Sequence, residues 1–406
     1  MKPTKRPQVA LLIESSRAYG RRILSGIARY VREHQPWAIS LQERSLGDTC
    51  PSWFKDWKGD GVIARVENRQ IASVIRRLGV PAVDVRYLLR NLNLPSVRPN
   101  DTSAARMAFD HLRQRGFRHF AFCGFNGADY SDIRRDTFAD CANTAGFTCH
   151  VYSARQDIHR KSTREYEARG LKDGHAVARW LKKLPKPVGL MACNDIRGQQ
   201  VLNACRAAGI VVPNDIAVVG VDDDEVLCEL SDPPLSSVSL DTERIGYEAA
   251  ALLDQMIAGR KPVSPNIFVE PVGVITRRST DVLAIDDRQI ADLLRLIHER
   301  ANEGIDVGDL LKNTPLSRST LERRFLRLLG HTPKEEILRI RIARAKQLLA
   351  ETDLPLAVIA EKVGFEHAEY FNVIFKKKTR LTPGVFRTHA HTPKPNNSWP
   401  KLTMPD

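Results

Sequence analysis

Two stretches near the C-terminus, residues 307–330 and 355–383, repeat one pattern, and this repetition constrains the fold more than any other feature of the chain. In each stretch a short apolar helix pattern meets a turn and is followed by a second amphipathic helix. In the first stretch Ser317 can cap the second helix, and apolar residues then recur at Leu321 and Phe325. The pattern predicts two helix-turn-helix units in tandem.

The second stretch and the segment before it support the same prediction. Gly364 occupies the turn, where a positive φ is easiest for glycine. Phe371 and Phe375 are spaced to be buried by the helix that follows. Residues 341–352, RIARAKQLLAET, form a strong helix pattern that joins the two units. Since one such unit places one helix in the DNA major groove, the tandem predicts a sequence-specific DNA binder with two recognition helices.

The outward faces of the two recognition helices supply the candidates for DNA contact. In the first unit these are Arg318, Ser319, Glu322 and Arg323. In the second unit they are His367, Glu369, Asn372, Lys376 and Lys377. We expect the two arginines to contact bases or phosphates, and the run from Lys376 to Lys378 to hold the DNA backbone. The alternative is an ordinary amphipathic helical bundle whose charged side chains face water.

Several residues of this region recur together in one known family. They are the helix RIARAKQLL and the pairs Ile359-Ala360, Gly364-Phe365, Tyr370-Phe371 and Thr382-Pro383. In this combination residues 289–388 resemble the AraC/XylS family of transcription regulators, which implies an all-α domain that binds double-stranded operator DNA. Two positions depart from the family pattern. Arg380 stands where the family usually has glycine, and Val373 stands where some members have a DNA-contacting arginine.

The first 280 residues alternate apolar strand patterns with amphipathic helix patterns, which predicts parallel sheets with helices on both faces. The length favours two doubly wound lobes, with the chain crossing near residues 95–101, 235–241 and 266–275. Ligands of open α/β sheets bind beyond the carboxyl ends of the strands. The polar residues expected in a cleft between the lobes include Ser15, Ser16, Tyr19, Tyr130, Arg134, Asp195 and Asp222.

The segments ACND, GIVVPNDIAVVGVDDDE and PLSSVSLDTERIGYEAA make residues 8–279 similar to the effector domain of LacI/GalR regulators and to periplasmic sugar-binding proteins. The resemblance implies that Arg134, Asp195 and Asp222 bind a sugar. The chemistry agrees, because carboxylates accept from pairs of hydroxyls and a guanidinium donates in a planar fork. Each residue has a plainer alternative: a surface ion pair for Arg134, a helix cap for Asp195 and a solvated loop for Asp222. The serines and tyrosines could be ordinary turn and helix-start residues.

Composition limits the remaining classes of function. A formal net charge of +14 and a pI of about 9.6 suit a partner rich in phosphates. Seven cysteines without a C-x-x-C motif predict reduced thiols in a cytoplasm, and neither a signal peptide nor a membrane span is expected. The usual motifs of hydrolases, metalloproteases and nucleotide-binding enzymes are not found, so we expect no catalytic residues, no metal and no cofactor. Residues 280–288 are predicted as a linker and 389–406 as a Pro-rich disordered tail.

The order of the two parts, a LacI-like sensor before an AraC-type DNA-binding domain, resembles that of the xylose operon regulators. This resemblance implies D-xylose as the effector, and an activator that recruits RNA polymerase at sugar-utilisation genes. The LacI likeness also implies a homodimer. A regulator of another sugar or small metabolite is the alternative, because a few changes in a pocket can alter which ligand fits. A sugar-modifying enzyme and a transport binding protein are further alternatives.

Overall fold

The computed structural model describes residues 6–86, 88, 92–153, 163–262, 264–282, 287–352 and 354–391. The chain divides into two compact units, Met1–Ala284 and Ile285–Asp406. The first unit contains two six-stranded sheets, and the second is helical in its described part. This arrangement of a bilobal α/β sensor fold before an all-α domain is the one that the sequence predicts.

The first lobe is built on an all-parallel sheet in the order β11-β5-β4-β3-β1-β2. Its strands are β1 (Gln8–Leu12), β2 (Ala38–Leu41), β3 (Gly61–Ala64), β4 (Ala82–Asp84), β5 (Ser96–Pro99) and β11 (Asn266–Val269). Its helices are α1 (Ala18–Glu33), α2 (Arg69–Leu78) and α9 (Thr242–Ile257). Val9 and Leu11 pack into a core with α1 and α9, whereas Ala10 and Leu12 pack into a core with α2. Side chains of β1 are thus buried on both faces, which explains its uninterrupted apolar sequence.

The second lobe has the order β12-β10-β9-β8-β6-β7, and only the β10–β12 pair among its described strands is antiparallel. Its strands are β6 (His119–Cys123), β7 (Cys149–Val151), β8 (Val188–Ala192), β9 (Ile216–Val221), β10 (Ser236–Leu240) and β12 (Pro271–Ile275). Its helices are α3 (Asp101–Gln114), α4 (Asp129–Thr144), α5 (Thr163–Lys172), α6 (Gly174–Lys183), α7 (Asp195–Ala208) and α8 (Glu225–Glu229). Asparagine side chains cap α3 and α7, where Asn100 accepts from Ser103 N–H and Asn194 accepts from Arg197 N–H.

The chain crosses between the lobes three times within the described residues. The crossings lie between β5 and α3, between β10 and α9, and between β11 and β12. Asn100 and Glu270, on two of these crossings, share a hydrogen bond of 2.7 Å from Nδ2 to Oε1. Three neighbouring crossings allow the lobes to move against each other about one edge.

The second unit contains two apolar clusters, one for each predicted helix-turn-helix unit. Its helices are α10 (Arg288–Arg300), α11 (Val307–Lys312), α12 (Arg318–Leu329), α13 (Pro333–Glu351), α14 (Leu356–Lys362), α15 (Ala368–Thr379) and α16 (Pro383–His391). Helix α13 contributes to both clusters, through Ile337 to the first and through Leu349 to the second. The buried guanidinium of Arg341, also on α13, donates to the carbonyls of Ala301 and Ile305 at 2.7 Å each. Helix α13 therefore belongs to the cores of both helix-turn-helix units.

The structure differs from the sequence prediction at four local points. Residues 96–99 form strand β5 rather than a connection, and helix α5 was not expected. The sequence pattern predicts a helix from Arg134 to Ala145, but helix α4 begins at Asp129, because the turn ahead of it closes early through an N–H bond from Phe125 to the Ser131 hydroxyl. Helix α16 continues to His391, inside the segment predicted as a tail; residues 392–406 of that segment lie outside the described residues.

Candidate functional site

A cavity of about 360 Å³ lies between the two lobes of the first unit, within the usual volume of small-molecule sites. Its walls are made at the carboxyl ends of parallel strands, after β1, β3 and β4 in the first lobe and after β6, β8 and β9 in the second. This is the position that the strand-end rule predicts. Of the seven predicted ligand-binding residues, the cavity is lined by Ser16, Tyr19, Tyr130, Arg134, Asp195 and Asp222.

Arg134 and Asp222 form the charged centre of the second-lobe wall. Helix α4 places Arg134 one turn inside the helix, where its guanidinium contacts Asp101 Oδ1 at 2.7 Å and donates to the Cys193 carbonyl at 2.5 Å. Its Nη2 lies 3.9 Å from Asp222 Oδ1. Burial raises the pKa of Asp222 to about 6, and the nearby Arg134 offsets part of that rise. Asp222 is thus a partly desolvated acceptor beside a fixed donor, an arrangement suited to a hydroxyl-rich ligand.

Asp195 lines the cavity, but both of its carboxylate oxygens already accept hydrogen bonds from other residues of the protein. Its Oδ1 accepts from the Ser237 hydroxyl at 2.6 Å, and its Oδ2 accepts from the backbone N–H of Asp224 at 2.8 Å. Burial is the main reason that its pKa is raised well above the ordinary value. The capping role considered for Asp195 belongs to its neighbour Asn194, whose Oδ1 accepts from Arg197 N–H at 2.9 Å. Asp195 therefore fixes the loop that carries Asp222.

Two tyrosines supply apolar surface between charged groups. The ring of Tyr130 lies between two guanidinium groups, with the Cζ atoms of Arg86 and Arg134 at 5.4 and 5.2 Å from its centroid. Tyr19 lies beneath Arg65, whose Cζ is 5.3 Å from the ring centroid. Burial raises the pKa of both phenols, so both remain neutral at physiological pH.

The two predicted serines have different positions. Ser16 is exposed and lines the cavity. Ser15 is not among the described lining residues, and its hydroxyl accepts from the backbone N–H of Arg44 at 3.2 Å. Ser15 thus ties the end of β1 to the segment after β2, which is the turn role considered for it.

Two ion pairs that the sequence does not predict cross the cleft. Arg17 of the first lobe contacts Glu167 of α5 through two bonds of 2.7 and 2.5 Å. Arg86, after β4, contacts Asp129 at the start of α4 through bonds of 3.1 and 2.6 Å. Arg17, Arg86 and Asp129 stand beside strand ends or helix starts, but Glu167 lies within α5. Because the partners are 150 and 43 residues apart, no local pattern in the sequence pairs them. Both pairs connect the two lobes across the cleft.

The recognition helix of the first helix-turn-helix unit, α12, exposes the residues predicted for DNA contact. Ser317 caps the helix, and Leu321 and Phe325 are fully buried. Arg318 is 68% exposed, with its Nε 3.2 Å from Glu322 Oε1 one turn later. Ser319 and Arg323 are exposed, and Glu322 is half-buried. The outward face of α12 is therefore polar except for Leu326, which is 50% exposed.

The recognition helix of the second unit, α15, has the same division. Phe371 and Phe375 are fully buried, and Gly364 at the turn has φ +80° as predicted. The predicted contact residues are all exposed; they are His367, Glu369, Asn372, Lys376 and Lys377. Val373 is 64% exposed on the same face. The centre of the exposed face of α15 is therefore apolar, whereas the exposed face of α12 carries arginines.

Comparisons with known proteins agree along the whole chain. Three family models match: the XylR N-terminal domain at residues 8–96, a periplasmic binding protein-like domain at 109–280 and a helix-turn-helix domain at 310–389. The chain is 30% identical over 391 residues to the xylose operon regulatory protein of Haemophilus influenzae, covering 94% of this chain and 98% of that protein. It is 31% identical to the protein of the same name from Escherichia coli K12, covering 95% and 97%.

A solved structure described as the xylose-binding transcription activator xylR superposes with a TM-score of 0.76 at 30% identity, covering 95% of this chain and 99% of that one. The chain belongs to the family of xylose operon regulators. The prediction of a LacI-like sensor joined to an AraC-type DNA-binding domain is confirmed, and so is that of a DNA-binding transcription regulator. Among the described helices of this regulator, none is both long and apolar enough to cross a bilayer.

Proposed function

We propose that this regulator is a D-xylose-responsive activator that binds operator DNA as a homodimer in the cytoplasm and recruits RNA polymerase. The observation that carries the ligand assignment is the pairing of Arg134 and Asp222 within a cavity of about 360 Å³, in a chain related to a xylose operon regulatory protein over 94% of its length. A pentose is uncharged, and each of its several hydroxyls can both donate and accept hydrogen bonds. A guanidinium donor beside a carboxylate acceptor in a desolvated site therefore suits it.

The ligand would act by stabilising the closed arrangement of the lobes. Asp222, Arg134 and Tyr130 belong to the second lobe, whereas Ser16 and Tyr19 belong to the first. A sugar that contacts both sets binds the closed conformation more tightly, and the population shifts in proportion to that difference in affinity. The Arg17–Glu167 and Arg86–Asp129 pairs would add to closure in the presence and absence of sugar alike.

For the DNA, we propose that both recognition helices, α12 and α15, contact bases. Arg318 and Arg323 are exposed donors suited to guanine edges or phosphates. In the second unit, His367, Glu369 and Asn372 would contact bases around the apolar Val373, while Lys376 and Lys377 would contact phosphates. At Val373 the second helix-turn-helix unit would then lack an arginine contact with a base.

Two measurements test these proposals separately. Thermal-shift screening of pentoses and hexoses against the full chain should give a large rise in Tm with D-xylose, because a ligand that binds only the folded state stabilises it. Selection of duplexes from a random-sequence pool, with and without D-xylose, should enrich one motif more strongly with the sugar. If a different sugar raises the Tm instead, that sugar and not D-xylose is the effector. If no motif is enriched from the pool, the proposal of sequence-specific binding is contradicted.

A further inference from the structure

The loop of residues 222–224, which follows β9, has an unusual backbone. Two consecutive non-glycine residues have positive φ, +110° at Asp222 and +54° at Asp223. Such conformations are unfavourable for residues with side chains and persist where the surroundings impose them. Here the N–H of Asp223 donates to the Ser237 hydroxyl at 3.1 Å, and the N–H of Asp224 donates to Asp195 at 2.8 Å. The loop is thus a strained element that bonds from neighbouring segments hold in one conformation.

The first two residues of the loop have different charged partners. Asp222 lines the cavity and lies 3.9 Å from Arg134. Asp223 contacts Arg277, with 3.0 Å between its Oδ1 and Nη1, and both side chains are about nine-tenths buried. A change in the backbone at Asp222 therefore moves the partner of Arg277 directly, since the two aspartates are adjacent in the chain.

Arg277 connects the loop to its surroundings through three groups. Besides Asp223, its Nε contacts Glu229 Oε1 at 2.5 Å, and its Nη1 donates to the Leu235 carbonyl at 3.2 Å. Glu229 ends helix α8, the short helix that begins directly after the loop. One guanidinium thus joins both ends of the segment that carries the loop and α8. Three acceptors for a single arginine favour one fixed geometry.

Arg277 also begins the last described segment of the first unit. After it, the Ser279 hydroxyl donates to the Val218 carbonyl at 2.6 Å, and the Thr280 hydroxyl donates to Ser236 Oγ at 2.7 Å. His111 Nε2 lies 2.8 Å from Thr280 Oγ1. The first unit ends at Ala284, so this packed segment lies in the sequence just before the DNA-binding unit.

We propose that Arg277 is a positioning residue that couples occupancy of the sugar cavity to the segment entering the DNA-binding unit. This inference rests on the proposed function. Sugar bound at Asp222 favours one conformation of the strained loop, and this conformation sets the position of Asp223. Because Arg277 is paired with Asp223, its position changes too, and with it the position of the segment that begins at Arg277. By linkage, DNA bound at the other end favours the same loop conformation and changes the affinity for sugar by the same factor.

The test compares the full-length wild type with Arg277→Gln. Hydrogen exchange is followed in peptides covering residues 218–230 and 274–290, with and without D-xylose. In the wild type, D-xylose slows exchange in both regions. In Arg277→Gln it should still slow exchange at 218–230 but no longer at 274–290. The ratio of DNA affinities with and without sugar, measured on a duplex selected by the wild type, should fall from the usual allosteric range of about 5–150 to within about twofold of one.

Arg206→Gln is the matched control. Arg206 also lies in the second lobe and pairs with Asp232 at 3.5 Å, but both side chains are mostly exposed. This variant should behave as wild type. Arg277→Lys keeps the charge but not the planar fork, so it should restore part of the ratio.

Three outcomes would overturn the coupling role. An unchanged ratio in Arg277→Gln would do so directly. Simultaneous loss of D-xylose binding would mean that Arg277 only maintains the cavity. If Arg277→Gln does not fold, Asp223→Asn takes its place, and a wild-type ratio there has the same meaning. If D-xylose does not change the DNA affinity of the wild type, the proposed function is refuted together with the coupling. If D-xylose changes the DNA affinity of both the wild type and Arg277→Gln, only the coupling is refuted.

Discussion

Replacement of Asp222 by asparagine should change stability and sugar affinity in opposite directions. The ordinary pKa of the carboxyl is 3.8, and burial raises it to about 6 in the folded protein. One pKa unit corresponds to about 1.4 kcal/mol, so the ionised carboxylate costs the sugar-free protein up to about 3 kcal/mol. The side chain is 27% exposed, and solvent screening lowers the expected gain from Asp222→Asn to about 1–3 kcal/mol at pH 7.5.

The same replacement removes a charged acceptor from the site. Hydrogen bonds to charged groups contribute about 1.5–3 kcal/mol, so D-xylose should bind about 10- to 150-fold more weakly. Asparagine keeps the size and one carbonyl oxygen, which separates loss of charge from loss of shape. A natural aspartate that lowers stability while it improves ligand binding is the usual trade-off at functional sites.

The sign of the pH dependence follows from the raised pKa. Well below the ordinary pKa of 3.8 the wild-type carboxyl is protonated in both the folded and unfolded states, and the cost is absent. The cost grows from about pH 4, where the unfolded carboxyl ionises, to about pH 6, where the folded carboxyl ionises, and is constant above that. The extra stability of Asp222→Asn should therefore be full at about pH 7.5 and vanish near about pH 3.

Urea unfolding at several pH values, together with isothermal titration of D-xylose, measures both effects. Asp136→Asn is the control, since Asp136 lies on α4 of the same lobe with its side chain 69% exposed. The reasoning is wrong if Asp222→Asn is less stable than wild type at pH 7.5, or if it binds D-xylose with wild-type affinity.

Three further predictions concern the cleft and the DNA-binding unit. Arg86→Met removes the cross-cleft partner of Asp129 and should weaken sugar binding in calorimetry by about tenfold or more; unchanged affinity would show that closure does not depend on the pair. Arg323→Ala should cost about 1–3 kcal/mol on a selected duplex and less on random DNA in anisotropy titrations; equal losses would make it a phosphate contact. Gly364→Ala places a Cβ 2.7 Å from the Ala301 carbonyl at φ +80° and should destabilise the DNA-binding unit by about 1–3 kcal/mol in urea, whereas an unchanged midpoint would contradict the strain.

The elements of both units could be predicted because local pattern and tertiary burial agree. In the first lobe, β1 is apolar at every position between Val9 and Leu12, as a strand covered on both faces must be. In the second unit, Leu321 and Phe325 recur at helical spacing and are fully buried. Strand β5 was missed because four residues ending in proline carry little periodicity.

The cavity could be located from the sequence, but its internal pairings could not. The rule for parallel sheets places ligands at the carboxyl ends of strands, which is enough to bring Arg134, Asp195 and Asp222 together. The rule says nothing about which side chains meet across the cleft. Arg17 contacts Glu167 only because the fold brings the two lobes together, and Glu167 lies on a helix without a strong apolar pattern. Contacts between lobes depend on the closure of the fold, which no local pattern encodes.

Backbone strain marks functional positions that composition does not. Among the described residues, those with positive φ that are neither glycine nor asparagine are Asp222, Asp223 and Arg380. Two lie in the cavity loop, and the third ends α15, where glycine would adopt the same φ of +64° without strain. A chain under selection for stability alone would replace such residues. We therefore propose that these side chains contribute to function where their backbone is strained: the carboxylates through the cavity and Arg277, and the exposed guanidinium of Arg380 through the basic end of α15.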